Sequence, residues 1–123
     1  MSLATKQILG LLSGKAEAAI ANNVFVTQGT NGNEVITAGA GEVILGVSNR
    51  VTAINKGNSR VVSGITTLWI SGAITADTRL KSDASGYGVA VTTDFDEYGA
   101  IALEDGTDCV ISVQVAPLSI YGV

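Results

Sequence analysis

"GAITADTRLKSDASGYGVAV", residues 72–91, decides the fold. Glycine, serine or aspartate interrupts each apolar run in this stretch before a helix gains length, and an internal glycine costs a helix about 1 kcal/mol relative to alanine. Leu80 and Lys81 lead into Ser82-Asp83-Ala84-Ser85-Gly86. Asp and Ser there close a type I turn, and Gly86 supplies the left-handed residue of a bulged hairpin. Tyr87, Val89 and Val91 then alternate along one face of the returning strand. The stretch is a hairpin, and its glycines serve the backbone.

The same texture extends outward. "VFVT" at 24–27 runs into the turn cluster 28–33, where Asn31-Gly32 offers positive φ at little cost. Short β-branched runs follow: "EVIT" (34–37), "EVILGVS" (42–48), "RVTAI" (50–54), "RVVSG" (60–64), "TTLWIS" (66–71) and "AIT" (73–75). Further runs stand at 89–93, 100–103 and 110–115, ahead of Pro117, the only proline. Strands of about four to seven residues at about ten-residue spacing predict an all-β fold, a small β-sandwich or β-barrel, over residues 21–123. Residues 1–20 differ. Ile8, Leu11, Leu12, Ala16, Ala19 and Ile20 recur at three- and four-residue steps, but Gly10 and Gly14 break the pattern. The segment reads as an N-terminal arm that orders against something else, with a frayed helix as the alternative. Its apolar run is too short for a secretory signal, and nothing in the chain approaches the roughly 18 apolar residues of a membrane span, so a soluble chain without a membrane partner is expected.

Composition bounds the function. The 123 residues are 46% hydrophobic, 15% charged and 5% aromatic. That is more small apolar side chain than one core needs and less charge than a free monomer usually carries, which predicts hidden subunit or partner surface. The net charge of -4 is unevenly spread. All seven Lys and Arg lie before residue 82, whereas residues 82–123 hold seven of the eleven carboxylates and no cation. Cys109 is the only cysteine and lies in the apolar run "CVISVQV", as a small core hydrophobe would, so no disulfide framework exists.

Reactive chemistry is sparse. Without histidine, and with one cysteine, the sequence offers neither a zinc ligand set nor a histidine-based triad. In "DFDEYG" (94–99), Asp94 and Asp96 fall on one side of an extended segment, but a turn between strands is where free carboxylates ordinarily sit. "EDGTD" (104–108) lacks the ligand spacing of an EF-hand, so Glu97, Glu104, Asp105 and Asp108 are expected on exposed turns serving solubility. The glycines of "AGAGEVILG" (38–46) lack the Lys-Ser/Thr of a phosphate loop. Trp69 reads as a core or subunit contact, or as a stacking platform, while Arg50, Lys56 and Arg60 lack the interleaved aromatics of a nucleic-acid surface. No enzyme, cofactor, metal site or nucleic-acid partner is expected.

Three segments carry a resemblance: "ILGVSNR" (44–50), "VVSGITTLWISGAITADTRLKSDASGYGVAV" (61–91) and "YGAIALEDGTDCVISVQV" (98–115). Together they resemble the small head-decoration, or capsid cement, proteins of tailed bacteriophages. The chain departs from the family pattern at Ala76-Asp77, where Gly-Asp is usual, and at Thr107-Asp108-Cys109 before the last strand. The resemblance implies an all-β domain, commonly a homotrimer, on the exterior of an icosahedral virion shell. It implies the major capsid protein as partner, with neighbouring capsid subunits bridged, and synthesis in the host cytoplasm. Within that reading the arm residues Leu3, Ile8, Leu9, Leu11 and Leu12 are the candidate capsid-binding residues. The alternative is a surface carbohydrate-binding or adhesin-type β module, which requires an exposed Trp69.

Overall fold

The computed structural model describes residues 11–30, 34–48, 58–62, 64–92 and 97–120, and every regular element among them is a strand. β1 (Leu11–Ala16), β2 (Phe25–Gln28), β3 (Glu34–Thr37), β4 (Gly46–Ser48) and β5 (Asn58–Val62) close a barrel in the order β1-β3-β2-β4-β5. The β1–β3 pair is parallel and the others are antiparallel. β6 (Ile65–Trp69), β8 (Arg79–Ser82), β9 (Gly88–Ala90), β10 (Glu97–Ala102) and β12 (Val110–Ile120) form a second sheet, ordered β6-β12-β10-β8-β9. β7 (Ala73–Ile74) and β11 (Gly106–Thr107) make a two-stranded ribbon. The second sheet curls until its ends meet, through a bridge between Ile70 and Gly88 and the Ser71 amide donating to the Gly88 carbonyl at 2.9 Å. The small β-sandwich or barrel expected from strand spacing is the fold observed.

Two cores follow from the alternation of side chains along strands. Ala16, Ile20, Val24, Val26, Val35 and Leu45 fill one within the first barrel. The other lies between the sheets, where Phe25, Ile44 and Val47 meet Leu68, Ile70, Leu80, Ile111 and Val113. β2 contributes to both, Val26 to the first and Phe25 to the second, whereas β4 sends Val47 to the core between the sheets; Val26 and Gly46 are nevertheless as covered as Phe25 and Val47.

The opening hairpin forms as its residues require. Leu80 pairs with Ala90, Lys81 with Val89 and Ser82 with Gly88. Asp83 Oδ1 accepts from the amides of Ser85 (2.8 Å) and Tyr87 (3.0 Å), while Gly86 takes a φ of 84°. The tip is seated on the first barrel, because the Phe25 amide donates to the Gly86 carbonyl at 2.8 Å.

The N-terminal region departs from its spacing. From Leu11 onward the chain is neither helix nor free arm: β1 pairs with β5 from Leu11↔Val62 to Lys15↔Asn58 and with β3 at Lys15↔Glu34 and Ala16↔Val35. Residues four apart share one face of a strand as well as of a helix, so the Ala16–Ile20 step served both periods. Gly14 penalises the helix, and the free edges of β3 and β5 reward the strand. Ala16 is fully buried and Ile20 nearly so.

Candidate functional site

Among the arm residues, Leu3, Ile8 and Leu9 lie outside the described residues, and Leu11 and Leu12 belong to β1, where their backbones help close the barrel. Asp94 and Asp96 also lie outside the described residues, and Glu97 opens β10. Among the described residues no three His, Cys, Asp or Glu side chains group as metal ligands.

The second acidic cluster is exposed as expected, but it does more than solvate the surface. Glu104 Oε2 accepts the Ser112 amide at 2.8 Å, Asp105 Oδ1 the Ala76 amide at 2.7 Å and Asp108 Oδ1 the Gly72 amide at 2.6 Å. Asp105 and Asp108 satisfy backbone donors that flank the short β7–β11 ribbon, and Glu104 satisfies one in β12. The hydrogen bonds from Ser112 hold the Glu104 carboxyl below the ordinary glutamate range. Asp108 itself takes a φ of 48°, and Asp77 across the ribbon takes 71°, a conformation that Asp tolerates better than most side chains. The departures from the family pattern at Ala76-Asp77 and Thr107-Asp108-Cys109 thus coincide with these two turns.

A cleft of about 470 Å³ opens beside them, lined by Ala73, Thr75, Asp77, Thr78, Arg79 and residues 90–92. Arg79 Nη1 donates to the Asp77 carbonyl at 3.1 Å, and its guanidinium carbon lies 6.0 Å from the centroid of the Tyr98 ring. The Thr75 and Thr78 hydroxyls bond each other at 3.1 Å. Its groups are the Arg79 cation, the Asp77 carboxylate and three threonine hydroxyls, two of which, Thr75 and Thr78, bond each other.

The larger feature is the outer face of β6 and β12. β6 buries Leu68 and turns Ile65, Thr67 and Trp69 the other way; Val110, Ser112 and Gln114 stand opposite Trp69, Thr67 and Ile65. Ile65 is 71% exposed, Trp69 38% and Val110 36%. The Trp69 ring stacks on that of Tyr87, centroids 6.0 Å apart and planes at 27°. Both aromatics are held by their backbones, Trp69 through its amide on the Asn23 carbonyl (2.8 Å) and Tyr87 through Asp83. Thr67 Oγ1 donates to Asn23 Oδ1 at 2.7 Å. Residues 61–76 and 109–123 contain no charged side chain, so both strands are neutral throughout. Trp69 is therefore a surface aromatic, and the sign of this face was legible in the sequence as the missing charge on two runs.

No family model matches the chain, and no curated protein does. Among solved structures, the crystal structure of the head fiber gp8.5 N base in bacteriophage phi29 is similar, with a TM-score of 0.69. The likeness covers 86% of this chain and 92% of that one at 12% sequence identity, a similarity of fold that agrees with the all-β architecture.

Proposed function

We propose that this chain is a structural protein of a bacteriophage virion, carried on the exterior of the head, where it bridges neighbouring major capsid subunits. The observation that supports this most is the fold shared with a phage head fiber base over nearly the whole of both chains. The three segments that resemble head-decoration proteins fall on β4, on the end of β5 through β9 and on β10 to β12, and so take in every strand of the second sheet but only β4 and the end of β5 in the barrel. A cement protein stabilises a shell by binding the joined arrangement of subunits and not the separated ones. Copies acting together gain avidity, and this reading takes the chain as a homotrimer. It assigns no catalytic step. The segment before β1, with Leu3, Ile8 and Leu9, is the proposed capsid contact.

The test is co-sedimentation with undecorated capsids, followed by reconstruction of the decorated shell. Saturable binding with density at the meeting points of capsomers is expected. Absence of binding to any capsid encoded beside this chain would overturn the proposal.

Exposure of Trp69 at 38% supports a second reading, a carbohydrate-binding or adhesin-type module with the Trp69–Tyr87 pair as its platform. Glycan-array binding that Trp69→Ala abolishes would favour it; an array without signal would remove it.

A further inference from the structure

In an antiparallel ladder, alternate residues turn their backbone groups to opposite sides of the strand. The bonds along residues 70–75 sort by this rule. The Ile70 amide donates to the Cys109 carbonyl at 2.9 Å, the Gly72 carbonyl accepts from the Asp108 amide at 3.2 Å, and Ile74 pairs with Gly106 of β11. Ser71, Ala73 and Thr75 therefore face the other way, where the Ser71 amide donates to the Gly88 carbonyl of β9. On β9 the Val91 amide donates to the Arg79 carbonyl and the Tyr87 carbonyl accepts from the Asp83 amide, each at 2.9 Å, which turns Gly88 and Ala90 away from β8. The two chains start as neighbours at the Ile70–Gly88 bridge and part after Gly72, which takes a φ of 84°. The cleft of about 470 Å³ opens there, and Ala73 and Ala90 both line it. Among the described residues none bonds the outward amide or carbonyl of either.

A groove with an unsatisfied strand edge on each wall fits one more strand. A strand occupies about 4.8 Å by 10 Å in section and rises about 3.3 Å per residue, so the cleft holds about three residues. Its side chains state the charge of the occupant. Arg79 and Asp77 line it, and among the described residues neither forms an ion pair. The guanidinium is held in place by the Tyr98 ring and the Asp77 carbonyl. We propose that the cleft takes up an extended segment of a partner polypeptide, inserted between β7 and β9 with its backbone bonded to Ala73 and Ala90, an acidic side chain on Arg79 and a basic one on Asp77. This goes beyond the virion reading and stands without it, because the slot reads a backbone and two charges whatever assembly supplies them.

An array of random octapeptides probed with the full chain supplies the ligand, and fluorescence polarisation then measures the best-retained sequence. Retained peptides should carry one acidic and one basic residue and no central proline. Both walls of the slot bond the inserted strand, so every central amide of the peptide has a partner. N-methylation of one such nitrogen leaves the protein untouched and should weaken binding about tenfold. Ala90→Pro removes an amide that faces away from β8, so the ladder stays intact and circular dichroism should not change, while binding falls by a similar factor. Arg79→Gln should weaken the acidic peptide several-fold and leave its glutamine analogue unchanged. An array that retains no peptide, binding that survives either backbone change, or equal losses for the two peptides with Arg79→Gln overturns the proposal.

Discussion

Gly86 sits where the hairpin tip meets the first barrel, and replacing it with alanine tests whether that seat is as tight as the geometry requires. Two costs add. The φ of 84° is left-handed, which strains an L side chain by about 1–2 kcal/mol, offset by about 0.4–1 kcal/mol because alanine restricts the unfolded chain. A Cβ at Gly86 would also stand 2.7 Å from Thr37 Cγ2 and 3.2 Å from both the Phe25 carbonyl oxygen and Val24 Cβ. Such overpacking costs about 1–3 kcal/mol. Gly72 is the internal control, with the same φ of 84° and nothing within 4 Å of its Cβ position. Gly72→Ala should therefore lose roughly 1 kcal/mol and Gly86→Ala roughly 2–4 kcal/mol. Urea unfolding followed by Trp69 fluorescence separates them, with midpoints about 1 M apart. Adding Thr37→Ser to Gly86→Ala removes the closest atom and should recover part of the loss, a coupling that a double-mutant cycle reads directly. Equal midpoints for the two alanine variants, or no recovery with Thr37→Ser, would refute the proposed seat.

Three further outcomes are expected. A chain beginning at Leu11 should unfold cooperatively, whereas one beginning at Lys15 loses the β1–β5 pairs from Leu11 to Gly14 and should give no cooperative transition; a sharp melt from the shorter chain would place β1 outside the folding unit. Asp108→Ala gives up the bond to the Gly72 amide and puts alanine at a φ of 48°, for a loss of about 1–2 kcal/mol, while Asp108→Asn should stay within a few tenths; thermal unfolding of both decides it. The Glu104 carboxyl is held below its ordinary value of 4.5, so the folded state keeps it ionised longer than the unfolded state does. Its contribution is present above about pH 4.5 and is lost as pH falls through the folded value, so Glu104→Gln should flatten that part of the stability curve, and parallel curves would contradict the assignment.

Local turn chemistry was legible in the sequence because few residues satisfy it: Asp83 and Gly86 announced their hairpin, and strand spacing announced the all-β class. Pairing over distance was not. Nothing local states that residues 11–16 lie between β3 and β5, since Ala16 and Ile20 fit either period and their partners come from elsewhere in the chain. The acids at 104, 105 and 108 read as solvated because a carboxylate on a turn looks the same in sequence whether it faces water or caps an amide, and only the ribbon opposite reveals which. The neutral face was half legible. The uncharged runs could be counted, but that they pair with each other and expose Trp69 needed the register.

The closure of the barrel by β1 also dictates an order of events during synthesis. β1 is made before either of its partners, the antiparallel one ending at Val62 and the parallel one at Thr37, so β1 waits while both are made. Contacts so distant along the chain are formed late and slowly. Until then β1 is an unpaired strand in a crowded cell, open to pairing with the same segment of a neighbouring nascent chain. Refolding of this protein should accordingly be limited by barrel closure, and its yield should fall as concentration rises.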